Sequence, residues 1–308
     1  MSSHTLPFPR LIRLVALVLL IGGFSAAASA EPRIVSEKPL GSRFELSVPV
    51  GEAGAGKTLR VLGYKPSRYT PSSPVLIVLH GTTRKPGPYL TAWLARAEQY
   101  GALLLVPEFS KADWPGSRGY NLGNMRTKDG KALPREAWSF TAIETLFDAA
   151  KGLFKSDAQT YYLFGHSAGS QFVHRFMLLT GGPRVKAAVA ANAGWYTMPR
   201  ESERYPYGLG GFAYDKQALI KAFAHRLVIL LGDADIDTAA KDLRRSPEAL
   251  AQGPHRLSRG KHFFDAAAAE AKRLGVPFAW ELKTVRGIGH SGNGMAPAAA
   301  RALLRKPD

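Results

Sequence analysis

Gly165-His166-Ser167-Ala168-Gly169 follows directly on the apolar run Tyr161-Tyr162-Leu163-Phe164. A strand that turns sharply into a helix at such a pentapeptide forces the middle residue into a strained backbone conformation and lifts its side chain above the sheet. Ser167 is therefore read as an exposed nucleophile. The flanking glycines have a steric reason, because a Cβ at either place would collide with neighbouring backbone in so tight a turn. Residues 170–179 carry Phe172, Val173, Phe176 and Met177 at helical spacing, which supplies the helix on the far side.

A serine hydroxyl is a weak nucleophile near neutral pH and needs a base in contact with it, oriented by a third group. The run 227–231 leads into Gly232-Asp233-Ala234-Asp235, which puts a carboxylate just past the carboxyl end of a buried strand. Gly287-Ile288-Gly289-His290-Ser291 places an imidazole after the last strand. Asp235 is read as the acid; Asp233 sits too close to the strand end, and Asp237 is the reserve. Three other histidines compete with His290. His80 is read as ordering the loop around it, His166 as packing within the turn, and His174 as lying a helix turn or more from Ser167. Leu79-His80-Gly81-Thr82 closes the first buried strand. The amides of Thr82 and Ala168 are accordingly expected to receive an oxyanion.

The elements that must carry these residues follow from hydrophobic patterning. Residues 43–50 and 57–64 alternate polar and apolar around a Gly-rich link, a hairpin pattern. Continuous apolar runs at 75–79, 103–106, 161–164, 187–191 and 227–231, with a last strand at 278–285, read as strands buried on both faces. Helical stretches fall at 89–100, 137–154, 261–274 and 296–304. The alternation predicts an α/β domain: a mostly parallel sheet of about eight strands with helices on both faces. Two long connections, 110–135 and 195–215, emerge at the carboxyl ends of strands, where sheets of this kind bind ligands. Trp195 and Tyr196 are the substrate-contact candidates from the second.

Composition narrows the setting. Residues 1–30 read as an export leader, with Arg10 and Arg13 ahead of the apolar stretch 14–24 and Ala28-Ser29-Ala30 before Glu31. The expectation is a domain over residues 31–308, secreted or periplasmic in a bacterium, with no stable membrane insertion once the leader is removed. The absence of cysteine excludes disulfides, thiolate metal sites and a cysteine nucleophile. The 41 Lys and Arg against 24 Asp and Glu give a net charge of +17, which favours solubility and a weak attraction to anionic surfaces. Basic residues gather at Lys241, Arg244, Arg245, Arg256, Arg259 and Lys261 without the aromatic interleaving that single-strand binding uses, so nucleic acid is not an expected partner.

Taken together, the strand-His-Gly, Gly-x-Ser-x-Gly, strand-Gly-x-x-Asp and Gly-x-Gly-His-Ser elements, spread from Val75 to Ser291, resemble those of the α/β-hydrolases. Within that superfamily the chain is similar to exported esterases of the poly(3-hydroxybutyrate) depolymerase and feruloyl esterase type. The resemblance implies Ser167 as nucleophile, Asp235 and His290 as its partners, and a small or polymeric carboxylic ester as substrate, with no cofactor. A peptidase or amidase of the same fold, or a non-catalytic binding protein built on it, are the alternatives.

Two further patterns are set aside. Residues 51–58 match the Gly-x-x-x-x-Gly-Lys-Thr phosphate loop, but that mechanism needs a helix to begin at the lysine, and 57–62 alternates like a strand. Asp233, Asp235 and Asp237 open like a calcium loop, yet Thr238 and Arg244 stand where it needs glycine and a bidentate glutamate. No metal is expected.

Overall fold

The computed structural model describes residues 1, 2, 4, 31–37, 41–51 and 56–305. The expected leader thus lies, but for three positions, outside the described residues. Among the described residues nine strands form one sheet: β1 (Arg33–Glu37), β2 (Ser42–Val50), β3 (Lys57–Lys65), β4 (Val75–Leu79), β5 (Leu103–Glu108), β6 (Tyr161–His166), β7 (Val185–Ala191), β8 (Leu227–Gly232) and β9 (Glu281–Val285). Their order across the sheet is β1-β2-β3-β5-β4-β6-β7-β8-β9. The first three strands pair antiparallel, as does β3 with β5, and every pairing from β5 across to β9 is parallel.

The helices are α1 (Gly87–Tyr100), the single turn α2 (Gly116–Gly119), α3 (Ser139–Phe154), α4 (Ala168–Thr180), α5 (Lys216–Ala224), the short α6 (Pro247–Ala251), α7 (Arg256–Leu274) and α8 (Gly292–Leu304). They cover both faces because the central strands are apolar on both. In β4 all five side chains are buried: Val75, Ile77 and Leu79 face the core shared with α3, α4, α5 and α7, while Leu76 and Val78 face the one shared with α1 and α8. Removing a side chain of this size from water stabilises the fold by ~1.5–3 kcal/mol.

Differences from the expected elements have local causes. β1 is a short edge strand whose five residues carry no alternation strong enough to announce it. The last strand begins at Glu281 rather than at 278, because Phe278 and Trp280 turn inward onto Phe223 instead of joining the ladder. Lys57 opens β3 opposite Val50, so a strand follows the phosphate-loop pattern where a nucleotide site would need a helix; residues 52–55 lie outside the described residues. The basic cluster is not one surface, since Arg256 and Arg259 are buried. Among the described residues no helix is long and apolar enough to cross a membrane.

The strand order reverses between β4 and β6. From β4 the chain steps one way to β5, then crosses back to enter β6 on the other side of β4. Loops leaving those two neighbouring strands part there and leave a crevice, the usual place for a ligand in an open α/β sheet.

Candidate active site

Ser167 stands at this switch point, between β6 and α4, with φ 58° and ψ −116°. Positive φ is costly for a residue with a side chain, and the glycines around it show why the turn holds. A Cβ on Gly165 would come within 2.2 Å of the Gly169 carbonyl oxygen, and one on Gly169 within 2.4 Å of the Leu79 carbonyl oxygen. The serine is less open than the sequence suggested. It is 7% exposed, because the β4 loop passes close enough for a Cβ on Gly81 to lie 3.8 Å from the Ser167 hydroxyl.

His290, on the loop between β9 and α8, reaches the serine from the other side: its Nε2 is 3.0 Å from Ser167 Oγ. Its Nδ1 lies 2.7 Å from Asp235 Oδ2. A carboxylate only accepts, so Nδ1 carries the hydrogen and donates to Asp235, which leaves Nε2 free to take the hydroxyl proton. Asp235 follows β8 and is 3% exposed. The two neighbouring aspartates are occupied elsewhere. Asp233 Oδ1 accepts from the Gly287 amide at 2.7 Å, and Asp237 Oδ1 from Ala239 at 2.8 Å.

A clasp that carried no sequence signal joins these loops. Asn192, just past β7 at φ 50°, accepts from the Gly232 amide at 2.8 Å and donates to the Gly289 carbonyl at 3.1 Å. One side chain thus ties the strand end before Asp235 to the loop that carries His290.

Thr82 and Ala168 line one cavity of about 270 Å³ together with Lys111, Ser117 and Asn121. Ala168 is the first residue of α4, where a helix amide has no carbonyl of its own helix to bond and the dipole is positive. Larger cavities lie away from the chemistry, one of about 530 Å³ lined by Arg200, Tyr214 and Glu270 and one of about 590 Å³ between β2 and α1.

The loop bearing Thr82 is held from beneath by Arg84, another residue that sequence reading missed. Arg84 is buried, sits at φ 60°, and donates to the carbonyls of Phe109, Trp114 and Gly116. His80 works beside it: its Nε2 accepts from the Phe109 amide at 3.0 Å, so its Nδ1 donates to Gly81 O. Burial pushes this imidazole down to about 4 from an ordinary 6.5. His166 packs its ring against His290, centroids 4.7 Å apart, and is held well below the ordinary value by burial first and then by the fields of His290 and Arg256. His174 stays away from the serine and accepts from the Thr197 amide at 3.1 Å.

Trp195 and Tyr196 come to lie under the rim, at 4% and 0% exposure. The guanidinium carbons of Arg175 and Arg244 sit 4.2 and 5.0 Å from the Trp195 ring centre, and Tyr196 stacks on Phe263. Aromatic content drew attention to this segment, and the same apolar area is what packs it down.

A strained serine at the switch point of a mostly parallel sheet, with a base and an acid arriving from later loops, defines the α/β-hydrolase class. Comparisons with known proteins carry this further. No protein-family model matches the chain. Poly(aspartic acid) hydrolase-1 from Sphingomonas sp. KT-1 is 41% identical, with a TM-score of 0.81 over 87% of this chain and 100% of that one. LpqC, a poly(3-hydroxybutyrate) depolymerase from Bordetella parapertussis, is 36% identical, with a TM-score of 0.78 over 83% of this chain and 88% of that one. A bifunctional acetylxylan esterase/xylanase, XynS20E of Neocallimastix patriciarum, is 29% identical over 128 residues. That match takes in 41% of this chain, which spans only 16% of the relative's length. The chain belongs to the α/β-hydrolase family that includes the first two proteins. Its fold and the arrangement at Ser167 are those of a serine hydrolase.

Proposed function

We propose that the protein cleaves carboxylic esters through an acyl-enzyme formed on Ser167. One observation carries this reading: the unbroken row from Ser167 Oγ to His290 Nε2 at 3.0 Å and from His290 Nδ1 to Asp235 Oδ2 at 2.7 Å. As Ser167 attacks the ester carbonyl, His290 takes its proton, and Asp235 steadies the imidazolium that forms. The carbonyl oxygen gathers negative charge and is received by the amides of Thr82 and Ala168. When the tetrahedral intermediate collapses, His290 returns the proton to the departing alcohol. Water then repeats the sequence on the acyl-serine and releases the acid.

Purified protein with Ser167→Ala should lose at least ~10⁴-fold in kcat on a p-nitrophenyl ester and take no fluorophosphonate label. Near-normal turnover in that variant would end the reading.

A second reading is favoured by a specific observation. The 41% identity is to a hydrolase of poly(aspartic acid), a polyamide bearing carboxylates, and Lys111 stands at the mouth of the cavity shared by Thr82 and Ala168. Matched p-nitrophenyl esters and anilides, followed by poly(3-hydroxybutyrate) and poly(aspartic acid) as polymers, separate ester from amide cleavage. We further propose that the chain is exported and cut before Glu31. A periplasmic or secreted product whose mass does not begin at that residue would refute this.

A further inference from the structure

The row of charges behind the serine continues past Asp235. While Oδ2 of Asp235 meets His290, Oδ1 faces Nη1 of Arg256 at 3.5 Å. The other arm of the same guanidinium, Nη2, donates to Asp242 Oδ1 at 2.6 Å. The Arg256 side chain is 2% exposed and that of Asp242 49%, so the row runs from the cleft out to solvent. Arg256 opens α7, and the amide of the next residue, Leu257, donates to the Asp235 carbonyl at 3.2 Å. The helix start therefore grips Asp235 by backbone and side chain together.

A buried cation is an awkward neighbour for this carboxylate. It fixes Oδ1, but its field opposes the imidazolium on which the proton transfer depends. The unequal arms of the fork answer that conflict: the short contact goes to Asp242 and the long one to Asp235. We propose that Arg256 is a positioning residue for the triad, holding Oδ1 of Asp235 so that Oδ2 stays on His290, and that Asp242 is its counterweight, drawing the guanidinium back and offsetting its charge. This rests on the acyl-enzyme reading above.

The surrounding groups are consistent with such a balance. Burial works to raise the Asp242 carboxyl, yet Arg256 outweighs it and leaves the carboxyl below its ordinary value. Around Asp235 and His290 stand His166, which burial holds neutral, and the Tyr196 hydroxyl, which burial and the Asp235 field push up. Tyr89 contributes a neutral hydroxyl 3.1 Å from His166 Nδ1, pushed up to about 12 by burial. Arg259, held by the Gly194 and Gly253 carbonyls, adds positive charge near Arg256, with Arg245 beyond it. Asp233 faces Gly287 on the loop that leads to His290. Without Asp242 the three guanidinium groups would face only the two carboxylates of Asp235 and Asp233, so the Asp242 charge counts.

The pH dependence of kcat/KM on a neutral p-nitrophenyl ester tests the proposal, because the two partners act with opposite sign. Asp242→Asn leaves Arg256 uncompensated and makes the imidazolium harder to form. Its acid limb should move down by about half a pH unit, with kcat reduced as the guanidinium closes on Asp235. Arg256→Met removes the cation, so its acid limb should move up by about the same amount, with kcat down about tenfold and KM little changed. Arg256→Lys should recover part of the kcat. A structural role alone would lower the amplitude in each variant without moving the limb, and that result overturns the proposal. Should Arg256→Met fail to fold, the half-exposed Asp242→Asn decides by itself: an acid limb at the wild-type pH, or one moved upward, sinks the idea. Fluorophosphonate labelling of the wild type keeps the two readings apart. A labelled wild type with an unmoved limb in Asp242→Asn overturns this proposal alone, whereas an unlabelled wild type overturns the acyl-enzyme reading and this proposal with it.

Discussion

The two long connections at the rim, 110–135 in front of the serine and 195–215 behind it, begin alike and end differently. Each starts at a backbone amide pinned by a buried neutral imidazole, Phe109 by His80 and Thr197 by His174. Beyond that point the front connection leaves Lys111, Pro115, Gly116 and Ser117 around the cavity that holds Thr82 and Ala168. Both connections fold aromatic rings inward, Trp114 and Tyr120 onto Phe109 in front, and behind it Trp195 onto Tyr207, Arg175 and Arg244 and Tyr196 onto Phe263, but the rear connection does not line that cavity. Arg175 links the two, donating to the Asn121 carbonyl in front and to the Thr197 hydroxyl behind. Burial draws the pKa of this guanidinium down to about 9, which still leaves it charged at neutral pH. Small and polar residues thus border the working cleft, while the large apolar ones support it.

That contrast can be broken most forcefully at Trp195. Trp195→Ala should lower unfolding free energy by about 3 to 5 kcal/mol, read from urea melts, while KM for a small ester stays close to wild type. A raised KM with unchanged stability would move substrate contact to the rear connection and undo the comparison.

Acid should loosen both connections together. Each pinned imidazole is held neutral below its ordinary value of 6.5, His80 at about 4 and His174 well below the ordinary value, in both cases chiefly by burial. The unfolded chain therefore binds more protons than the folded one in this range. The stability these groups contribute is complete above pH 6.5 and drains away as pH falls toward 4. Melting temperatures that stay level across that window would show that the imidazoles do not pin the loops.

The smallest effect sharpens the front half. Lys111→Ala should raise KM about threefold for substrates that carry a carboxylate beside the scissile bond, and added salt should erase the difference. Neutral esters and the melting temperature should be unaffected. An equal change in KM for neutral and anionic substrates would remove the role given to this charge.

Much of the scaffold was legible because it rests on short-range rules. Five continuous apolar runs mark β4 to β8 since strands covered on both faces need nothing polar. The elbow was readable because only Gly165 and Gly169 fit the contacts their Cα atoms make. β1 escaped because an edge strand of five residues is specified by its partner more than by its own pattern. Phe278 and Trp280 read as strand residues because apolarity alone does not distinguish a ladder from an aromatic cluster. Arg84, Arg256 and Asn192 escaped for another reason. Nothing local marks which of the 41 basic residues has carbonyl or carboxylate partners elsewhere in the chain, nor that Asn192 bonds Gly232 and Gly289.

By itself, then, the sequence determined the alternation of strands and helices, the strained serine, and the order in which serine, acid and histidine occur. These are consequences of sterics and periodicity acting over a few residues. Tertiary structure decided that Asp235 rather than Asp233 or Asp237 meets His290, that Trp195 and Tyr196 lie beneath the rim, and that Arg256 and Asp242 stand behind the acid. Those outcomes depend on which charges and rings are brought within a few ångströms after the sheet has closed, and no window of neighbouring residues contains that information.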